Sequence, residues 1–151
     1  MTEIDRLAAI EAIRSLQSRY VRLADAKDWQ KLSELFVSQG SFTVFGVDGK
    51  PFAAMVGREQ IRHTISAGVG AGTAVHHLFS YEIEIQHETR ARAIWSMEDW
   101  VDRTDDRNRT ADAPFATLHG TGHYHVTYEK VDGEWFIADQ KLHRTTLKLT
   151  H

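Results

Sequence analysis

Tyr128-Glu129-Lys130-Val131-Asp132-Gly133-Glu134-Trp135-Phe136-Ile137 reads as two β-strands joined by a tight turn. Asp132-Gly133 suits the positive φ angles of a short hairpin loop, and aromatic and β-branched residues dominate on both sides. Two further β-rich segments, at about 74–86 and 90–101, precede the strand at about 115–130, and a last one covers 134–146. The C-terminal half is therefore a succession of strands.

The N-terminal half has a different period. Ile4, Leu7, Ile10, Ile13, Leu16, Tyr20 and Leu23 recur at three- and four-residue intervals, and Thr2 with Asp5 forms a capping box, which predicts a long amphipathic helix. Asp28 is placed to cap a shorter second helix with Trp29, Leu32, Leu35 and Phe36 as its buried stripe, ending near Gly40. Ser41 to Phe45 reads as a strand, Asp48-Gly49 as a turn, and Gly57 to Ile65 as a third short helix. Gly68, Gly70 and Gly72 mark a flexible passage into the strands, and the charged stretch Asp102 to Asp112 reads as an exposed loop near a pocket mouth.

Helices followed by an antiparallel sheet define an α+β fold, with the sheet curling around the long helix into a cone-shaped α+β barrel open at one end. The 151 residues fit one domain, 1–151, burying about 68–70% of its extended-chain surface. A formal charge of -3 offers no field for nucleic acid or an anionic membrane. Without cysteine there is no disulfide, thiolate nucleophile or cysteine-bound metal. The polar, amphipathic start Met1-Thr2-Glu3-Ile4-Asp5-Arg6 predicts no export, hence a cytoplasmic protein. Phosphate-binding loops, dinucleotide fingerprints and nucleophile elbows do not occur.

Several residues carry chemistry. Tyr20 lies on the buried helix stripe, either as a core aromatic or as a proton donor. Asp25 falls at the end of that helix, where the dipole disfavours a carboxylate; turn formation and function both account for it. Alternation along Arg90 to Val101 puts Ala93, Trp95, Met97 and Asp99 on one face, so Asp99 is expected either paired among apolar neighbours or reaching water at the strand end. His76 and His77 point to opposite faces, so one of them at most enters a given cavity, where a histidine held by a carboxylate makes a general base. His119, His123 and His125 share a strand face, and His123-Tyr124-His125 with Glu129 faintly matches a metal motif; without a second motif, no metal is expected.

The segment Tyr20-Val21-Arg22-Leu23-Ala24-Asp25-Ala26-Lys27-Asp28-Trp29, His76 six residues before Glu82-Ile83, the strand Trp95-Ser96-Met97-Glu98-Asp99 and the terminal hairpin together resemble the SnoaL-like branch of the nuclear transport factor 2 superfamily. Within it the chain is most similar to bile-acid 7α-dehydratases, and more distantly to scytalone dehydratase and hexachlorocyclohexane dehydrochlorinase. The resemblance implies catalytic roles for Tyr20, Asp25, His76 and Asp99, and a pocket arginine at Arg144. Where the bile-acid enzymes have glycine and proline after the histidine this chain has Leu78 and Tyr81, which leaves the choice between His76 and His77 open.

What this implies is a cofactor-free lyase that eliminates water from a hydrophobic, ring-containing, steroid- or polyketide-like substrate. His76 would act as base with a carboxylate orienting it, and Tyr20 as acid. Arg144, His77, Trp95, His123 and Tyr124 are the expected substrate-binding residues. A ketosteroid-type isomerase and a non-catalytic binding protein are the alternatives. The resemblance also implies a homo-oligomer, a trimer before a dimer, packed through the outer sheet face.

Overall fold

The computed structural model describes residues 1–109 and 115–151. Its elements are α1 (Glu3–Asp25), α2 (Trp29–Ser33), β1 (Phe36–Phe45), β2 (Pro51–Val56), α3 (Arg58–Val69), β3 (Thr73–His87), β4 (Arg90–Asp102), β5 (Thr117–Val131) and β6 (Glu134–Thr150). The six strands form one sheet in the order β2-β1-β6-β5-β4-β3, antiparallel throughout except where β1 runs parallel to β6. This is the expected α+β cone: N-terminal helices against a curled sheet.

The hairpin forms as read. Val131 pairs with Glu134, and both loop residues have positive φ, 50° at Asp132 and 82° at Gly133, the twist that lets two strands close through two residues. At the other end of the chain, Thr2 caps α1 through the reciprocal box with Asp5. The inner face of α1 buries Ile13, Leu16, Tyr20, Val21 and Ala24 against Trp95, Met97, Tyr124, Val126 and Leu142 of the sheet. Ile4 and Leu7, expected on the same buried stripe, are instead exposed at the helix start.

Three expectations require correction. The second helix ends at Ser33, and Phe36 opens a strand: Ile137 donates its N–H to Leu35 O at 2.8 Å and Phe36 pairs with Ile137, so a partner about a hundred residues away overrides the helical spacing. β2 was not anticipated; it pairs antiparallel with β1 across the Asp48-Gly49 turn. The stretch after β4 is not simply an exposed loop. Arg103 and Asp106 are buried there and hydrogen-bonded to each other; Arg103 donates to Ala67 O and Gly68 O in the last turn of α3, and Asp106 accepts from Ala71 N just after it. Hydrogen bonds from Asn108, Ala71 and Arg103 keep the Asp106 carboxyl below its usual range although burial opposes them. Positions 110–112 of that expected loop lie outside the described residues.

Candidate active site

α1 ends where β3 begins to cross it, and this sets the first contact of the site. Asp25 Oδ1 accepts the backbone N–H of His76 at 2.9 Å and sits 2.7 Å from His76 Nδ1. Two donors thus answer the dipole that disfavours a carboxylate at a helix end. With Nδ1–H committed to Asp25, a neutral His76 leaves the lone pair of Nε2 free. His76 and Asp99 are direct partners across β3 and β4, both on the inner face, and Asp99 Oδ2 lies 4.0 Å from Nε2. That is too long for a hydrogen bond.

Asp99 is held from the far side. Arg144 Nη1 donates to Oδ1 at 2.6 Å and Nη2 to Oδ2 at 3.0 Å, a two-pronged contact with both side chains under a tenth exposed. Two features let Arg144 reach it from two strands away. A register shift between Thr121 and Gly122 in the β5–β6 ladder places Arg144 opposite Gly122. On β5, Gly120 pairs with Asp99 and has no side chain to block the guanidinium; a Cβ there would lie 2.3 Å from Nη1. Gly120→Ala is therefore expected to push the guanidinium off Asp99 and cost about 1–3 kcal/mol, read as a lower denaturation midpoint. An unchanged midpoint would show that the passage over Gly120 is not needed.

Two phenols complete the inner face. Tyr20 is buried and meets Tyr124 edge-on, the ring centroids 5.9 Å apart. Burial pushes the Tyr20 phenol well up, the neighbouring Gln140 side chain pulls it back in part, and the Asp99 carboxylate adds a small rise. Tyr124 is raised by burial first, then by Tyr20 and Asp99, while Arg144 opposes them. Both therefore stay protonated at neutral pH and can only be acids or hydrogen-bond donors to a substrate.

The structure thus brings together Tyr20, Asp25, His76, Asp99 and Arg144, with Tyr124 beside them. Trp95 shares the inner face, but its indole N–H is committed to Tyr128 Oη at 2.9 Å. His77 and His123 do not join the cluster. His77 is on the outer face against Trp100 and Phe79, and His123, exposed, projects from the outer face of β5. Strand alternation separates them from a site that includes His76 and Tyr124. Among the described residues no group of three or more His, Asp or Glu is placed to hold a metal ion, and no helix is long and apolar enough to cross a membrane.

Two residues near the site escaped the sequence reading, Gln17 and Gln140, both fully buried. For Gln17 a signal existed: it occupies a core position between Ile13 and Tyr20 on the stripe of α1. For Gln140 simple alternation misleads, because a register shift at Ala138 between Ile137 and Asp139 turns Gln140 inward along with Ile137.

Comparison with known proteins agrees with this architecture. The chain is 22% identical to the "Probable cyclase FGR4" of Gibberella zeae over 93% of this chain and 94% of that one. Its fold is similar to that of the "Putative Scytalone Dehydratase" from Novosphingobium aromaticivorans DSM 12444, with a TM-score of 0.80 at 22% identity, covering 99% of this chain and 93% of the other. A type 2 hexachlorocyclohexane dehydrochlorinase, LinA, is equally similar in fold, TM-score 0.80 at 15% identity over 99% and 94% of the two chains. At these identities the likeness to the two solved structures is one of fold. The sequence profile of the SnoaL-like domain, however, matches residues 5–141, nearly the whole length, and the chain belongs to the SnoaL-like domain family.

Proposed function

We propose that this chain is a cofactor-independent lyase that eliminates water from a hydrophobic, ring-bearing, hydroxylated substrate. The observation that carries the reading is the 2.7 Å contact of Asp25 with His76 Nδ1, which leaves Nε2 as a base on the inner face of the cone. Nε2 takes a proton from carbon next to a carbonyl, the C–O bond to the neighbouring carbon breaks, and a C=C bond forms between the two carbons. Tyr20 protonates the departing hydroxyl, which leaves as water, and the proton on His76 then returns to Tyr20. Asp25 and Asp99 stabilise the transient imidazolium, while Arg144 holds the Asp99 carboxylate in place.

Two lines support elimination over other chemistry. The set Tyr20, Asp25, His76, Asp99 and Arg144 is the one by which the sequence resembles bile-acid 7α-dehydratases, and two neighbours in fold are named for eliminations, one a dehydratase and one a dehydrochlorinase. The test is mass-resolved turnover of a panel of β-hydroxy ketones, hydroxysteroid thioesters and polyketide-like phenols. Loss of one water from any member is the expected result. Conversion without change of mass would point to isomerisation or ring closure, and binding without conversion to a non-catalytic pocket protein.

A further inference from the structure

A chain of hydrogen bonds crosses the buried core and ends beside Tyr20. The indole N–H of Trp95 donates to Tyr128 Oη at 2.9 Å, Tyr128 donates to Gln17 Oε1 at 2.7 Å, and Gln17 Nε2 donates to Gln140 Oε1 at 2.8 Å. An indole can only donate, so the Tyr128 oxygen accepts from it and the single phenol proton must go on to Gln17. The polarity set at the first link passes down the chain. Both amides are thereby fixed with their carbonyls toward Trp95 and their amino groups away from it, which removes the usual ambiguity of amide orientation.

The last group is left over. Gln140 Nε2 is fully buried and, among the described residues, has no hydrogen-bond acceptor, an arrangement that costs the desolvation of a donor unless something uses it. The Tyr20 phenol lies beside this side chain: its ring meets those of Phe42 and Tyr124, Phe42 pairs with Gln140 across β1 and β6, and Gln17, three residues before Tyr20 on α1, donates to Gln140, although Gln140 Nε2 makes no hydrogen bond of good geometry. We propose that Gln140 is a positioning residue for Tyr20: its amide donates to the phenol oxygen, so the phenol proton is directed into the site, toward the departing hydroxyl. This rests on the role given to Tyr20 in the elimination above. Donation to the oxygen also favours the phenolate that forms as the proton leaves, in the direction opposite to burial. Tyr128 is the contrast. Its proton is taken up by Gln17, so a phenol of the same burial cannot serve as an acid.

The experiment is a double-mutant cycle on whichever panel member is dehydrated. Gln140→Met is expected to lower kcat about tenfold with KM unchanged, the worth of one hydrogen bond, and to have no further effect once Tyr20→Phe is present. Equal losses in both backgrounds would mean a merely structural role and overturn the inference. If Gln140→Met does not fold, Gln140→Glu keeps the shape and the acceptor for Gln17. Its carboxyl can donate to Tyr20 when protonated but not when ionised, so kcat relative to wild type should fall as pH rises, only while Tyr20 is present. A flat ratio would overturn it. A readout independent of any substrate separates this inference from the elimination itself. In protein labelled with ¹³C at the tyrosine ζ carbon, the signal lost on Tyr20→Phe should shift on Gln140→Met, or on Gln140→Glu across the same pH range; a signal that stays in place refutes the contact. Absence of turnover across the panel, with a shifted signal, would sink the elimination and leave the contact standing.

Discussion

His76→Ala is expected to lower kcat of the elimination by about 10²–10⁴-fold, the usual worth of a positioned general base, with little change in stability. The stability half follows from the local geometry. Asp25 keeps the backbone N–H of residue 76, at 2.9 Å, when the ring is removed, so no carboxylate is left without a donor. Asp25→Asn should fall between wild type and His76→Ala: an amide oxygen can still accept from Nδ1–H, but the charge that stabilises the imidazolium is gone. The check is single-turnover kinetics by mass, run beside a denaturant titration of each variant. If His76→Ala turned over as fast as wild type, the base would have to be another group and the mechanism would fail.

Arg144→Leu is expected to have the largest effect on stability. Asp99 would keep its burial and lose both guanidinium hydrogen bonds, and breaking a buried pair from one side costs about 3–5 kcal/mol. In a domain of this size that lowers Tm by roughly 6–20 °C. Activity should fall as well, because Asp99 would lose the two contacts that hold its carboxylate 4.0 Å from His76 Nε2, where it faces the transient imidazolium. Adding Asp99→Asn to Arg144→Leu removes the uncompensated charge and is expected to restore much of the lost stability without restoring turnover. Thermal denaturation of the single and double variants checks this. A double variant as unstable as Arg144→Leu alone would mean that packing of the arginine stem, rather than the ion pair, holds the strands.

The two predictions draw on parts of the site that differ in how far sequence reveals them. Asp25 and His76 are 51 residues apart, yet each was conspicuous locally: an aspartate against a helix dipole, and a histidine pair at a strand start. Asp99 stood out as a carboxylate on an otherwise apolar strand face, and Tyr20 as an aromatic on the helix stripe. Alternation separated His76 from His77, but by itself could not say which of them faced the helix; that follows from the crossing of β3 over the end of α1. His77, His123, Trp95 and Tyr124 were grouped as pocket residues on their type. Only Trp95 and Tyr124 share the inner face with His76, because face is set by register, which residue type does not encode.

Local physics determined a good deal from the sequence alone. The 3.6-residue period of α1 with its Thr2 cap, the two-residue turn at Asp132-Gly133 and the alternation of β4 are short-range properties, and they were sufficient for an α+β fold with helices first and a curled sheet after. Tertiary structure decided the rest. Phe36 became strand instead of helix through pairing with Ile137, Arg103 and Asp106 were drawn inward to tie a loop to the end of α3, and register shifts in β6 turned Gln140 and Arg144 toward the core. In each case the deciding partner lies far along the chain or the strand period slips by one residue. Neither is written in the neighbourhood of the residue concerned, which is why the hairpin was legible at once and the arginine that completes the site took its place only in the folded sheet.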